Sequence, residues 1–255
     1  MLQKVDLGLS GLQVSSLCYG TGTQGFNGRS DQGDLGLDRL ADLLCYAYDR
    51  GVSFWDTADG YGTHPHLARA HKRVGRDNVT LTTKTTSRTP EAVRGDIERF
   101  LRELQTDYLD IVLLHCQTRA DWPQTDRAAM DVLSEYKEKG VIRAVGVSCH
   151  DFGAFCSAAE SDWVEVVLAR INYAGHAMDD SPANVSQVIG RMAASGKGVY
   201  AMKVVGGGTE LTRDPRRAIH YSYAVEGVHA LVLGMNSEKQ IDDNLGYLEE
   251  VLVPA

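Results

Sequence analysis

The sequence has no basic cluster and no long apolar run. Its 255 residues carry 26 Lys and Arg against 34 Asp and Glu, which gives a formal net charge of −8 at pH 7. Since no basic stretch is interleaved with aromatic residues, we predict no nucleic-acid partner. No segment approaches the roughly 18 apolar residues that a membrane-spanning helix needs, so we predict no membrane partner either.

Cysteine is scarce and scattered. The five cysteines, Cys18, Cys45, Cys116, Cys149 and Cys156, are odd in number and contain no C-x-x-C pair. This usage is typical of free thiols in a reducing compartment and disfavours a disulfide framework or an iron–sulfur site. The opening residues also lack the apolar run of a signal peptide. We therefore expect a cytoplasmic protein.

Short apolar, β-branched runs alternate with segments of helical periodicity along the chain. Eight such units without a proline- or serine-rich linker favour one domain over residues 1–255, an α/β protein built as a single parallel (β/α)8 TIM barrel. The predicted strands are residues 16–21, 53–58, 79–85, 109–115, 143–148, 164–171, 198–204 and 228–234.

Two further segments bear on the fold. Residues 4–14 alternate around Ser10-Gly11 and predict an N-terminal β-hairpin that closes the bottom of the barrel. An open doubly wound sheet is the alternative, but the glycine-rich turn that such a sheet usually carries is matched only loosely by Tyr19-Gly-Thr-Gly-Thr-Gln-Gly.

Polar residues fall where consecutive predicted strands end. Asp56 ends the second strand, Lys84 the third and His115 the fourth, and Tyr61 follows in the loop after Asp56. In a β/α barrel the C-terminal strand ends form one rim, where the chemistry takes place. Each residue alone has an ordinary structural explanation, but four of them at one rim indicate an active site.

The four side chains suit proton transfer. A tyrosine with a pKa near 10 is a poor acid at neutral pH, and an adjacent ammonium lowers that pKa. Lys84 is the candidate cation, and Asp56 would hold it. His115 would orient a substrate carbonyl while Tyr61 protonates the oxygen as hydride reaches the carbon.

The order Asp56-Thr-Ala-x-x-Tyr61-Gly, then Lys84, then Leu-Leu-His115 resembles the catalytic tetrad of the aldo-keto reductase family. Segments 7–15, 140–148 and 234–244 are similar to family segments as well, so the resemblance covers nearly the whole chain. It implies a β/α barrel of a short, divergent member and a nicotinamide cofactor bound without a Rossmann fold. It also implies reversible reduction of a small aldehyde or ketone to an alcohol.

The resemblance further implies cofactor contacts, with departures from the family pattern. Cys149 stands where asparagine is usual, Arg170 replaces glutamine, and Met202 with Lys203 replaces an aromatic residue. The expected contacts are Gly20, Thr21, Ser148, Cys149, Arg170, Asn172, Met202, Lys203, Gly206, Gly234, Asn236, Ser237, Gln240 and Asn244.

The residues that would contact the cofactor's phosphates bear on whether the chain binds NADP or NAD. The run Gly206-Gly-Gly208 would let backbone amides approach the pyrophosphate, and the helix after Ser237 offers amides to a 2′-phosphate. NADP is the expected cofactor by the habit of the family. NAD stays open, because Gly234 and Gln240 stand where many NADP-specific members have lysine and arginine.

Several alternatives accompany this interpretation. Tyr19, Trp122 and Tyr173 are candidate substrate contacts. The barrel could instead be a cofactor-binding regulatory protein with little turnover, or a lyase that forms a Schiff base on Lys84. We expect no metal, although His64-Pro-His66 resembles a metal-binding pair. Cys149 and His150 could form a thiol–imidazole pair.

Overall fold

Eight parallel strands close into a barrel in the computed structural model of this chain, which describes residues 2, 4–206 and 209–252. The (β/α)8 architecture is thereby confirmed, and every predicted strand is present. The strands are β3 (Leu17–Gly20), β4 (Phe54–Asp56), β5 (Thr80–Thr85), β6 (Leu109–Gln117), β7 (Ile142–Cys149), β8 (Val166–Arg170), β9 (Gly198–Met202) and β10 (Ala230–Gly234).

Helices alternate with the strands and surround the barrel. Thr89 and Ser181 cap two of them, each accepting a hydrogen bond from a backbone N–H three residues on and each followed by proline. The helices are α1 (Leu37–Asp49), α2 (His64–Val74), α3 (Pro90–Leu104), α4 (Trp122–Thr125), α5 (Arg127–Glu138), α6 (Phe152–Glu160), α7 (Pro182–Ala194), α8 (Pro215–Ala224) and α9 (Glu238–Leu252).

The strands bury both faces, which explains their continuous apolar sequences. Alternate residues point into the barrel, as Phe54 and Leu113 do, and pack in an inner core. Their neighbours point outward against the helices. Trp55 belongs to this outer core, as its place in the alternation predicts, and its indole N–H donates to the carbonyl of Val52 at 3.0 Å.

The predicted N-terminal hairpin is also present. Strands β1 (Lys4–Asp6) and β2 (Gln13–Ser15) pair antiparallel, and Leu7, Leu12 and Val14 complete the inner core from below. A Cβ at Gly198 would lie 2.6 Å from Leu7 Cγ. The strand β9 can therefore lie this close to the hairpin only because residue 198 is glycine. The hairpin therefore seals the barrel end opposite the C-terminal rim.

All five cysteines lie within the described residues, and each is a free thiol. Among the helices that the structure describes, none has the length and apolar content required to traverse a bilayer.

The hairpin seal can be tested by comparing two leucines that lie two positions apart. Leu7 is fully buried, whereas Leu9 is 85% exposed. We expect Leu7→Ala to lower the free energy of unfolding by about 2–5 kcal/mol through lost burial and a cavity. Leu9→Ala should change it by less than about 0.5 kcal/mol. Urea denaturation measures both, and equal losses would mean that the hairpin does not seal the core.

Candidate active site

A buried ion pair lies at the C-terminal rim. The Lys84 ammonium is fully buried and donates to Asp56 Oδ1 at 2.6 Å and to the carbonyl of Thr57 at 2.7 Å. The second Asp56 oxygen accepts a hydrogen bond from the Tyr200 hydroxyl at 2.8 Å. Burial by itself would lower the pKa of Lys84, but the charge of Asp56, the nearby Tyr61 and the hydrogen bond to Asp56 together outweigh it, and the pKa is raised. The lysine therefore stays a cation inside the rim.

Tyr61 lies above this pair, in a short 3-10 turn after β4. The Lys84 ammonium is 4.9 Å from the centroid of its ring. The ring packs against two glycines of the β3–α1 loop, Gly22 and Gly25. A Cβ at either position would overlap ring atoms of Tyr61. Two of the three glycines that loosely match a dinucleotide-binding turn are thus explained by contact with Tyr61, whereas Gly20 packs against Val232.

The expectation of a lowered pKa for Tyr61 is wrong for this structure. Burial raises the pKa of Tyr61 above 10, and the charge of Lys84 offsets that increase only in part. The sequence pattern showed the cation but could not show how strongly the surroundings disfavour a phenolate. As a result, the hydroxyl stays protonated at neutral pH.

His115 lies beside Tyr61, with ring centroids 5.8 Å apart in an edge-on arrangement. Burial, and then the charges of Lys84 and Arg88, lower the pKa of His115 to about 3. The imidazole is therefore neutral and can donate one N–H. Arg88 holds this segment: its guanidinium donates to the carbonyl of His115 at 2.7 Å and pairs with Asp126 at 2.8 Å.

The thiol that faces His150 is Cys116, not Cys149 as in the alternative that the sequence left open. Cys116 Sγ lies 3.1 Å from His150 Nδ1, whereas Cys149 is fully buried in the outer core. Strand register shifts between Leu114 and Gln117, and Cys116 adopts a left-handed φ of 63°. This backbone turn directs its sulfur towards His150.

A cleft of about 450 Å³ extends from Asp56 and Tyr61 across the ends of β8, β9 and β10 to the start of α9. This volume is in the range of small-molecule and cofactor sites. Eight predicted cofactor residues line it: Gly20, Met202, Lys203, Gly206, Gly234, Asn236, Gln240 and Asn244. Gly207 and Gly208, which the sequence suggested for the pyrophosphate, lie outside the described residues.

Other predicted contacts need correction, because their polar atoms are directed elsewhere. The buried Thr21 hydroxyl bonds to the carbonyl of Asp56 and to the Thr63 hydroxyl. The buried Asn172 amide donates to the carbonyls of His176 and Lys203 and also accepts two backbone N–H groups. Both side chains brace loops and leave no donor for a cofactor.

The remaining predicted contacts lie at the rim but outside the cleft lining. The buried Ser148 Oγ accepts the backbone N–H of Cys116 at 2.9 Å. Arg170 pairs with Asp179 at 3.3 Å. Ser237 Oγ accepts the backbone N–H of Gln240 at 3.2 Å and so caps α9.

The three candidate substrate contacts also need correction. Tyr19 is fully buried on the outer side of its strand, and its hydroxyl donates to the carbonyl of Met235 at 2.6 Å. Trp122 is buried, with its indole N–H donating to the carbonyl of Ala154 at 3.1 Å. Tyr173 packs against Arg217 and Tyr221 of α8. None of the three lines the cleft.

His64 has both ring nitrogens engaged, with Glu103 at 2.7 Å and Thr83 at 2.8 Å. It therefore has no free nitrogen with which to form a metal-binding pair with His66. Within the part of the chain that the structure describes, no group of three His, Cys, Asp or Glu side chains could hold a metal ion.

The sequence interpretation missed cleft residues on both sides of its far end. Asp243 and Tyr247 join Gln240 and Asn244 on one face of α9, with the spacing of neighbouring helical turns. That spacing could have identified them. Across the cleft, Thr23, Gln24, Asp31 and Gln32 belong to the β3–α1 loop, whose course the sequence does not reveal.

Comparison with known proteins places these features in context. The profile described as "Aldo/keto reductase family" matches residues 16–220. The NADH-specific methylglyoxal reductase of Escherichia coli is 24% identical in a gapped alignment of 202 positions, which covers 70% of this chain but only 62% of that protein. The L-galactose dehydrogenase of Arabidopsis thaliana is 22% identical in a gapped alignment of 285 positions, which covers 96% of this chain and 88% of that protein.

Solved structures agree on the fold. A crystal structure of a Pseudomonas aeruginosa protein assigned to the aldo-keto reductases has a TM-score of 0.82 at 25% identity, covering 98% of this chain and 96% of that one. The holo form of an aldo-keto reductase from Bacillus halodurans has a TM-score of 0.77 at 21% identity, covering 98% and 91%.

Buried neutral imidazoles make the fold sensitive to acid. Burial lowers the pKa of His150 to about 4 and that of His115 to about 3, below the usual 6.5. The unfolded chain therefore takes up protons below pH 6.5 that the native protein does not. Stability present above that pH is lost as the pH falls, by up to about 1.4 kcal/mol per pH unit for each histidine.

Urea denaturation between pH 7 and 5 measures this loss. We expect His150→Asn to reduce the slope of unfolding free energy against pH, because one such proton is removed. His176→Asn, at an exposed position, is the matched control and should keep the original slope. An unchanged slope in His150→Asn would show that His150 does not resist protonation in the native state.

Proposed function

This chain belongs to the aldo/keto reductase family, and from that premise we propose that it is an NAD(P)H-dependent reductase of a small aldehyde or ketone. The family supports an oxidoreductase that acts on carbonyl compounds. Within the chain, the observation that carries the proposal is that Asp56 and Tyr61 line one end of the cleft, with Lys84 bound to Asp56 and His115 beside Tyr61. One domain over residues 1–255 would carry the activity.

The cleft fits a nicotinamide dinucleotide. Gly20, Gly206 and Gly234 line it without side chains. Leu168 and Met202 line the end near Tyr61 and would hold the nicotinamide half. Residues of α9 would hold the adenosine half. When bound, the cofactor would supply or accept a hydride at the substrate carbon.

The chain's own residues handle the proton. The Tyr61 hydroxyl and a His115 N–H would both donate hydrogen bonds to the substrate carbonyl oxygen. Tyr61 then gives its proton to that oxygen as negative charge develops there. The Lys84 ammonium stabilises the resulting phenolate, and Asp56 with the carbonyl of Thr57 fixes the ammonium beforehand. In the oxidative direction the phenolate accepts the alcohol proton.

The Schiff-base alternative is disfavoured by the state of Lys84. Imine formation needs a neutral amine, whereas the pKa of Lys84 is raised and its ammonium is held by Asp56. The regulatory alternative differs from the proposal in turnover, not in cofactor binding. An assay that measures both separates the two.

Removing the Tyr61 hydroxyl tests the proposed proton donor. We expect Tyr61→Phe to lower kcat for carbonyl reduction by about 10²–10⁴-fold, because general acid catalysis contributes a factor of that size. Dinucleotide affinity should remain within about threefold. Oxidation of NADH and NADPH with a panel of small aldehydes and ketones reports turnover, and calorimetric titration reports binding.

The control is Tyr173→Phe, which removes a hydroxyl outside the cleft and should leave kcat unchanged. Full activity of Tyr61→Phe would exclude the proton-donor role. Tight dinucleotide binding by the wild type without oxidation of the dinucleotide would favour the regulatory alternative.

A second prediction concerns how Tyr61 is held. A methyl group at Gly22 would overlap the Tyr61 ring, so Gly22→Ala should displace the hydroxyl without removing it. We expect kcat to fall by about tenfold to a hundredfold, since small displacements of a reacting group have effects of that size. Gly60→Ala is the matched control, because no atom lies within 4 Å of the added carbon. Equal kinetics for both variants would show that Gly22 does not position Tyr61.

A further inference from the structure

The far end of the cleft carries carboxylates. Asp31 of the β3–α1 loop and Asp243 of α9 both line it. Lys203, the cation that lines the described part of the cleft, follows Met202 at the end of β9, and its carbonyl holds Asn172. A charge at that position acts on NADH and NADPH alike, because both carry the same nicotinamide half.

The cations around the start of α9 are already paired. Lys239 binds both oxygens of Asp243, at 2.9 and 2.7 Å. Arg39 pairs with Glu238 at 3.3 Å. A 2′-phosphate would thus have to displace a carboxylate from either cation.

Two backbone amides near the start of α9 also have partners already. The N–H of Gln240 donates to Ser237 Oγ at 3.2 Å, and that of Asn236 donates to Gln240 Oε1 at 2.6 Å. Glu238 lies in the first turn of α9, where its charge already meets the positive end of the helix dipole. These two hydrogen bonds and the charge of Glu238 therefore reduce what the helix start offers to a 2′-phosphate.

The side chain of Gln32 acts as a brace and fills the space beside Gly234, at the end of β10. Gln32 is buried, and its amide donates to Asn236 Oδ1 at 2.9 Å and to Thr23 Oγ1 at 3.0 Å. A Cβ at Gly234 would overlap Thr23 Oγ1 and lie 2.7 Å from the Gln32 amide nitrogen. Because the brace occupies this space, residue 234 cannot carry a cationic side chain towards the cleft.

We propose that this cleft selects NAD(H) over NADP(H), with Asp243 as the specificity-determining residue. The inference rests on the proposed function, whose cofactor it specifies, and it reverses the preference for NADP that family habit suggested. Asp243 keeps Lys239 in an ion pair and so withholds that cation from a 2′-phosphate, while its carboxylate can still accept a hydrogen bond from a ribose 2′-hydroxyl. Asp31, a second carboxylate of the cleft lining, repels a 2′-phosphate.

Calorimetric titration of the full chain with NADH and with NADPH tests the selection directly. We expect the Kd for NADH to be at least about tenfold lower than that for NADPH at 0.1 M salt. The Debye length falls from about 10 Å at 0.1 M to about 3 Å at 1 M salt, so high salt should narrow the ratio by improving NADPH binding. ADP and 2′,5′-ADP should show the same preference, because they probe the adenosine half alone.

Two variants locate the cause. Asp243→Asn removes the carboxylate and frees Lys239, so the NADPH-to-NADH ratio of Kd should fall by at least about fivefold. Asp42→Asn is the matched control: it removes the same charge from an exposed ion pair with Arg73, outside the cleft, and should leave the ratio unchanged.

The preference for NAD(H) and the reductase function can be tested independently. NADPH binding as tightly as NADH, or more tightly, would overturn the selection while leaving the reductase proposal intact. An unchanged ratio in Asp243→Asn would overturn the role of Asp243. If neither dinucleotide binds, the proposed function itself fails.

Discussion

The buried Lys84–Asp56 ion pair is the constraint on which the rest of the site depends. Two charges removed from water are tolerated only when their remaining hydrogen-bonding capacity is satisfied. The carbonyl of Thr57 and the hydroxyl of Tyr200 do so here, from the same rim and from β9 across the barrel. The barrel makes this pair possible because β4 and β5 run parallel and adjacent, so that Asp56 and Lys84 reach the rim together.

Tyr61 depends on the pair for its electrostatics and on the β3–α1 loop for its position. Gly22 and Gly25 let the loop backbone lie against the ring, and Gly62 has a left-handed φ of 69° where a Cβ would overlap the carbonyl of Gly28. Glycines in the β3–α1 loop and next to Tyr61 thus allow the two segments to pack closely. The same loop continues to Gln32, which braces the far end of the cleft. One connection therefore links the geometry of both halves of the site.

Hydrophobic periodicity predicted the strands. The convergence of Asp56, Lys84 and His115 was predicted because parallel strands of a barrel end at one rim. Features that depend on a break in the alternation of inward and outward side chains were not predictable. Cys116 would point outward by simple alternation, but its left-handed backbone turns it towards His150. Trp122 was misassigned because a loop sequence does not tell which way an aromatic side chain packs. The raised pKa of Tyr61 depends on burial, which no local motif reveals.

Cations lie near one end of the cleft and carboxylates near the other, so the two ends differ in the groups that they can bind. At the catalytic end, burial and the nearby cations Lys84 and Arg88 keep His115 neutral, while burial keeps Tyr61 protonated. Two hydrogen-bond donors and one ammonium can therefore meet a single oxygen that gains negative charge. At the far end, Asp31 and Asp243 present acceptors instead. An acceptor lining suits hydroxyl groups, so in the reductase that we propose the far end would discriminate between dinucleotides by charge without disturbing the donors that react.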